Sequence, residues 1–129
     1  MDEAKLAAIG FCFGGSAVLE LGRSGADLDA VVSFHGGLAT PSPAPAGALK
    51  GPVLVLNGAA DTYVPAADIT AFEAEMTAAG ADWQLVQLGG AVHCFTEVGA
   101  KNPGCSYDAK AAKRAYGMME GLFGEVCGG

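Results

Sequence analysis

Basic residues are scarce in this sequence. Seven lysines and arginines stand against 14 aspartates and glutamates, for a net charge of −7. Affinity for a phosphate backbone rests on clustered Lys and Arg, so this balance argues against nucleic acid as a partner. It also leaves no polybasic patch for an anionic membrane. Charge of either sign is thin, at 16% of residues, while 51% are hydrophobic. That composition supports a packed core and argues against disorder. No apolar run approaches the roughly 18–20 residues that cross a bilayer. The opening Met1-Asp2-Glu3 is acidic and lacks the basic start of a secretory signal, so a soluble, cytoplasmic protein is expected. Four cysteines, Cys12, Cys94, Cys105 and Cys127, are too few for a disulfide scaffold. They form no C-x-x-C pair and are not at zinc-ligand spacing, so no metal site is assigned. The 129 residues contain no repeat and no dividing linker, and 1–129 reads as a single domain.

Short, continuously apolar segments alternate with helical ones. Leu6-Ala7-Ala8-Ile9, Ala30-Val31-Val32-Ser33-Phe34 and Val53-Leu54-Val55-Leu56 read as parallel strands covered on both faces. Trp83 to Leu88, interrupted by Gln84 and Gln87, reads as an edge strand. A helix through Val18, Leu19 and Leu21 follows the first strand. A second opens at Pro65 with the stripe Ile69, Phe72, Met76 and Ala79, and a third runs from the N-cap Asp108 to Phe123. Residues 36–52, which hold four prolines, and 89–106 read as loops. The class is α/β with about four parallel strands. Right-handed crossovers put the first two helices on one face and leave the other to the last helix.

Gly10-Phe11-Cys12-Phe13-Gly14 has the form G-x-S-x-G with Cys in place of Ser, between a strand and a helix. That is the setting of a nucleophile elbow, where glycines two positions either side permit a tight turn. The start of the helix favours thiolate at Cys12, and the Phe13 N–H can donate to an oxyanion. The bland alternative is a glycine-rich turn with an inert buried cysteine. Asp61 and His93 follow the third and fourth strands, so all three residues gather at the C-terminal edge of the sheet, where open α/β sheets place their ligands. The chain order nucleophile, acid, base is that of α/β-hydrolases. His35 precedes the acid and reads as pocket-lining or structural. Asp27 and Asp29 lie at the wrong end of the sheet. Asp68 reads as solvated, Glu97 as a surface residue near His93, and Cys94 as a small packing residue. Tyr107 and Tyr116 read as helix-packing residues.

Ile9-Gly10-Phe11-Cys12-Phe13-Gly14-Gly15 resembles the elbow of the dienelactone hydrolase family. Ser33-Phe34-His35-Gly36, Asn57-Gly58-Ala59-Ala60-Asp61, His93-Cys94-Phe95-Thr96 and the stretch from Asn102-Pro103-Gly104 through Tyr107-Asp108-Ala109 are similar to its later blocks. The resemblance implies a truncated, minimal α/β-hydrolase that opens lactones or cleaves small esters without a cofactor. Cys12 would be the nucleophile, His93 the base, Asp61 its orienter and the Phe13 N–H one oxyanion donor, with Phe11, His35 and Phe95 as pocket-lining candidates. Only the C-terminal half of the family is matched. The other half would supply a second oxyanion donor, and a carboxylate and an arginine that serve the nucleophile and an acidic substrate. Without it the first strand becomes an open apolar edge and one sheet face is partly bare. Self-association, most simply as a two-fold homodimer through that strand or face, is therefore expected. The competing reading is a non-catalytic binding or assembly module with an idle triad.

Overall fold

Valine-rich segments build the sheet. In the computed structural model, which describes residues 5–128, β1 (Ala7–Phe11), β2 (Ala30–Phe34), β3 (Val53–Gly58) and β4 (Trp83–Leu88) are all parallel, in the order β1-β2-β3-β4. Met1-Asp2-Glu3 lies outside the described residues. β2 and β3 are buried at every position, which explains their unbroken apolarity. β4 is an edge and exposes Gln84 and Gln87. β1 pairs as far as Phe11, one residue past the expected stop at Gly10.

Three helices cover the sheet: α1 (Phe13–Arg23), α2 (Ala66–Ala78) and α3 (Ala109–Gly128). Alternate side chains of each strand face opposite layers. Val31, Val53 and Val55 pack with Leu19, Phe72 and Met76 on the α1 and α2 side. Ala30, Val32, Phe34, Leu54 and Leu56 pack with Ala111, Ala115 and Leu122 of α3 on the other. The expected three layers are therefore present. Asp108 caps α3, its Oδ1 accepting from Ala111 N at 3.0 Å. The helix runs beyond Phe123, and Val126 adds to the core. Among the described residues, no helix is long and apolar enough to cross a membrane.

Two loops hold more structure than their composition suggested. Within 89–106, β5 (Lys101–Asn102) and β6 (Cys105–Ser106) form a small hairpin. Ser106 N donates to the His93 carbonyl at 3.0 Å, and Cys105 bridges to His93. That pairing brings two sulfurs together, and Cys94 and Cys105 form a disulfide. Cys94 is thus half of a cross-link rather than a packing residue, and two free thiols remain, Cys12 and Cys127. The proline-rich loop is held by Arg23, which is buried. Its Nε and Nη2 donate to Glu75 at 2.7 and 2.9 Å, and Nη2 also donates to the Leu38 carbonyl at 2.9 Å. Glu75 in turn accepts from Ala44 N at 2.8 Å. A buried guanidinium requires such full pairing.

β1 is the weakly covered side. Among the described residues it pairs with β2 alone, and Leu6 and Ile9 are 59% and 41% exposed.

Candidate active site

The turn from β1 into α1 carries Cys12 at φ 54°, ψ −121°. A non-glycine residue in this region stores roughly 1–3 kcal/mol of strain and persists only where its surroundings fix it. Here Cys12 N donates to the Phe34 carbonyl at 3.0 Å, and the Cys12 carbonyl accepts from Gly15 N at 2.9 Å. A Cβ on Gly10 would overlap the Gly14 carbonyl, and one on Gly15 would meet Ser33 Oγ at 2.5 Å. Gly14 itself has open space where a Cβ would stand. The tight positions of the elbow are therefore Gly10 and Gly15, not the symmetric pair Gly10 and Gly14.

His93 and Asp61 lie beyond the ends of β4 and β3. Asp61 is buried; its Oδ2 pairs with His93 Nδ1 at 2.9 Å, and its Oδ1 accepts from Tyr63 N at 2.7 Å. The Tyr63 ring stacks on the imidazole, with centroids 4.3 Å apart. The imidazole is thus fixed both in its plane and from its face. One ring nitrogen of His93, one of His35 and the Cys12 sulfur all lie within 4.8 Å of one another. Phe13 is the first residue of α1, so its N–H has no acceptor within the helix. Its side chain is exposed.

The thiol engages two residues outside the expected triad, Glu97 and the pocket-lining candidate His35. Cys12 Sγ donates to Glu97 Oε2 at 2.8 Å and lies 3.2 Å from His35 Nδ1. Glu97 is therefore a partner of the nucleophile candidate rather than a plain surface residue. Its place in sequence after His93 gave no sign of this, because the contact spans 85 positions. His35 is fully buried at φ 43°, and its Nε2 meets Thr96 Oγ1 at 2.8 Å. Phe95, also fully buried, sets its ring edge-on to His35 at 4.9 Å. His35 and Phe95 thus back the site rather than line its open side. Phe11 is partly exposed and stacks on Phe34 at 4.6 Å. Asp29 lies at the far end of the sheet, where it accepts from Leu6 N at 2.7 Å.

These surroundings reverse the expected electrostatics of the thiol. Burial, the hydrogen bond to Glu97 and the negative charges of Glu97 and Asp61 push Cys12 up to about 12. Each of these favours the protonated thiol over the thiolate. Burial and the nearby His93 lower His35 to about 4, so it is neutral at ordinary pH.

The sequence profile of the dienelactone hydrolase family matches residues 1–127. Two solved structures are similar, each over 98% of this chain and 54% of its own. One is m3DLH, at 43% identity and a TM-score of 0.91. The other is a dienelactone hydrolase-like promiscuous phosphotriesterase from metagenomic libraries, at 45% and 0.88. The chain therefore spans about half the length of these two proteins. The Caenorhabditis elegans protein K02A2.1 is 37% identical over 121 residues, which cover 90% of this chain and 77% of that protein. With four parallel strands between helical layers and the family profile matched along almost its whole length, this chain belongs to the dienelactone hydrolase family.

Proposed function

We propose that the chain hydrolyses small esters or lactones with Cys12 as nucleophile, His93 as general base and Asp61 as the residue that orients His93. The observation that carries this reading is the strained Cys12 within 4.8 Å of a His93 ring nitrogen, on an imidazole whose Nδ1 is held by Asp61 at 2.9 Å. The thiol leaves Glu97 and His35 and turns to His93, which takes its proton as sulfur attacks the acyl carbon. The Phe13 N–H donates to the oxyanion. His93 then protonates the departing alkoxide, leaving a thioester. Water, deprotonated by His93, attacks the thioester, and the carboxylic acid and thiol are released.

Similarity to a promiscuous phosphotriesterase makes phosphotriesters a second substrate class for the same thiol. The exposed apolar edge of β1 supports assembly with a second copy, which would also bring further groups to the site. Light scattering at micromolar protein is expected to show a dimer; a stable monomer refutes this assembly. The protonated resting thiol, raised to about 12, favours the second reading, an idle site on a binding module.

Turnover of p-nitrophenyl acetate by wild type, Cys12→Ala and His93→Ala separates the two. The ester hydrolase reading expects both variants to fall to the uncatalysed rate. Equal rates in all three proteins refute it.

A further inference from the structure

We propose that Cys12, His35 and His93 form a binding site for zinc, and that the metal, when bound, occupies the thiol and closes it to acyl transfer. The sequence gives no metal-ligand spacing, because the three residues come from three separate strand ends. The fold brings their donor atoms within 4.8 Å of one another. One thiol and two imidazoles are a donor set that suits zinc over magnesium or calcium. Tetrahedral bonds of about 2.3 Å to sulfur and 2.0–2.1 Å to nitrogen separate ligand atoms by about 3.3–3.6 Å. Cys12 Sγ and His35 Nδ1 already stand 3.2 Å apart and need to open by only a few tenths of an ångström.

Both imidazoles are also held from behind. His35 Nε2 meets Thr96 Oγ1 at 2.8 Å, and His93 Nδ1 meets Asp61 Oδ2 at 2.9 Å. A second polar partner that fixes ring and tautomer is the usual support of a metal-binding histidine. Cys12 and His35 each sit at positive φ just past a strand end, which places the two side chains next to each other at the same edge of the sheet. Glu97 also lies 2.8 Å from the sulfur and adds a carboxylate to the surroundings of the site. Cys94 Sγ also lies within 4.8 Å of Cys12 Sγ, but its disulfide to Cys105 leaves it no thiolate to offer.

Binding replaces the thiol proton by the metal: Cys12–SH and Zn²⁺ give the zinc thiolate and H⁺, which leaves to solvent. No oxidant or reductant is needed. The site follows from geometry alone and stands whether or not the thiol turns over an ester.

Cobalt titration tests the proposal. The disulfide-intact protein carries Cys127→Ser, which removes the other free thiol, and Co²⁺ is the probe. The expected result is one equivalent bound, with a thiolate-to-cobalt band in the near ultraviolet and intense tetrahedral bands in the visible, both bleached by Zn²⁺. Adding Cys12→Ser abolishes the near-ultraviolet band, and adding His35→Gln weakens binding at least about tenfold. No band, a band that survives Cys12→Ser, an affinity unchanged by His35→Gln, or a dissociation constant above about 1 mM overturns the proposal. Should His35→Gln fail to fold by circular dichroism, the rise in Tm on adding Zn²⁺ decides. It is expected in the Cys127→Ser protein and absent from its His93→Gln derivative, and a rise of equal size in both overturns the site.

Discussion

Replacing Glu97 by Gln should make Cys12 more reactive, because it neutralises the carboxylate 2.8 Å from the sulfur. A thiol raised to about 12 is ionised at pH 8 in roughly one molecule in ten thousand, whereas at its ordinary 9.0 it would be ionised in roughly one in ten. The sign follows from charge. A carboxylate beside the sulfur disfavours thiolate and raises the pKa, so neutralising it lowers the pKa and increases thiolate at any fixed pH. Burial is the largest cause and stays, as do the charge of Asp61 and the nearby His35 and His93. The charge of Glu97 is removed, while the amide can still exchange a hydrogen bond with the sulfur. Each unit recovered multiplies the thiolate fraction tenfold, offset in part by the lower nucleophilicity of a less basic thiolate. Glu97→Gln is therefore expected to speed alkylation of Cys12 by iodoacetamide at pH 8, by about threefold for each unit its pKa falls, while Glu97→Asp stays near wild type. Peptide mass spectrometry, with Cys127 in the same chain as reference and a chelator present, gives the ratio. An unchanged or slower Cys12 in Glu97→Gln refutes this view of the thiol.

Other perturbations follow from the same contacts. Arg23→Met leaves Glu75 buried without its ion pair and should cost about 3–5 kcal/mol in urea unfolding; a loss below about 1 kcal/mol contradicts the structural role of this pair. His35 falls from 6.5 to about 4 on folding, so its contribution is complete above about pH 6.5 and is lost as pH falls toward 4. The loss is roughly 3 kcal/mol. His35→Gln should flatten stability across that window, and an unchanged pH profile contradicts a buried neutral imidazole. Reducing the Cys94–Cys105 disulfide, whose partners are 11 positions apart, should cost about 3 kcal/mol by loop entropy. Thermal melts with and without reductant read it, and identical Tm values contradict the cross-link.

The sheet was legible because continuous Val and Leu runs have few uses other than covered parallel strands. The helix stripes added which face each helix takes, as Phe72 and Met76 of α2 and Ala112 and Ala115 of α3 show. The placement of Cys12, Asp61 and His93 at one sheet edge followed from the same alternation. What sequence spacing did not carry were contacts made by chain return. Glu97 reaches Cys12 from the turn after His93, where its N–H donates to the Cys94 carbonyl at 2.8 Å, and Cys105 reaches Cys94 because the β5–β6 hairpin folds alongside His93. Arg23 in the last turn of α1 is buried because Glu75 of α2 pairs with it, a contact that local spacing does not reveal. The sign of the thiol shift was misjudged for a related reason. The start of a helix was visible in sequence, but the burial and carboxylates that oppose it were not.

Mass spectrometry of protein quenched during p-nitrophenyl acetate turnover reads the nucleophile directly. One acetyl group is expected on the peptide that carries Cys12 in the wild type, and none on that peptide in Cys12→Ala. Steady turnover with no acetyl on Cys12, or with the label on another residue and undiminished in Cys12→Ala, would contradict Cys12 as the residue that attacks the ester.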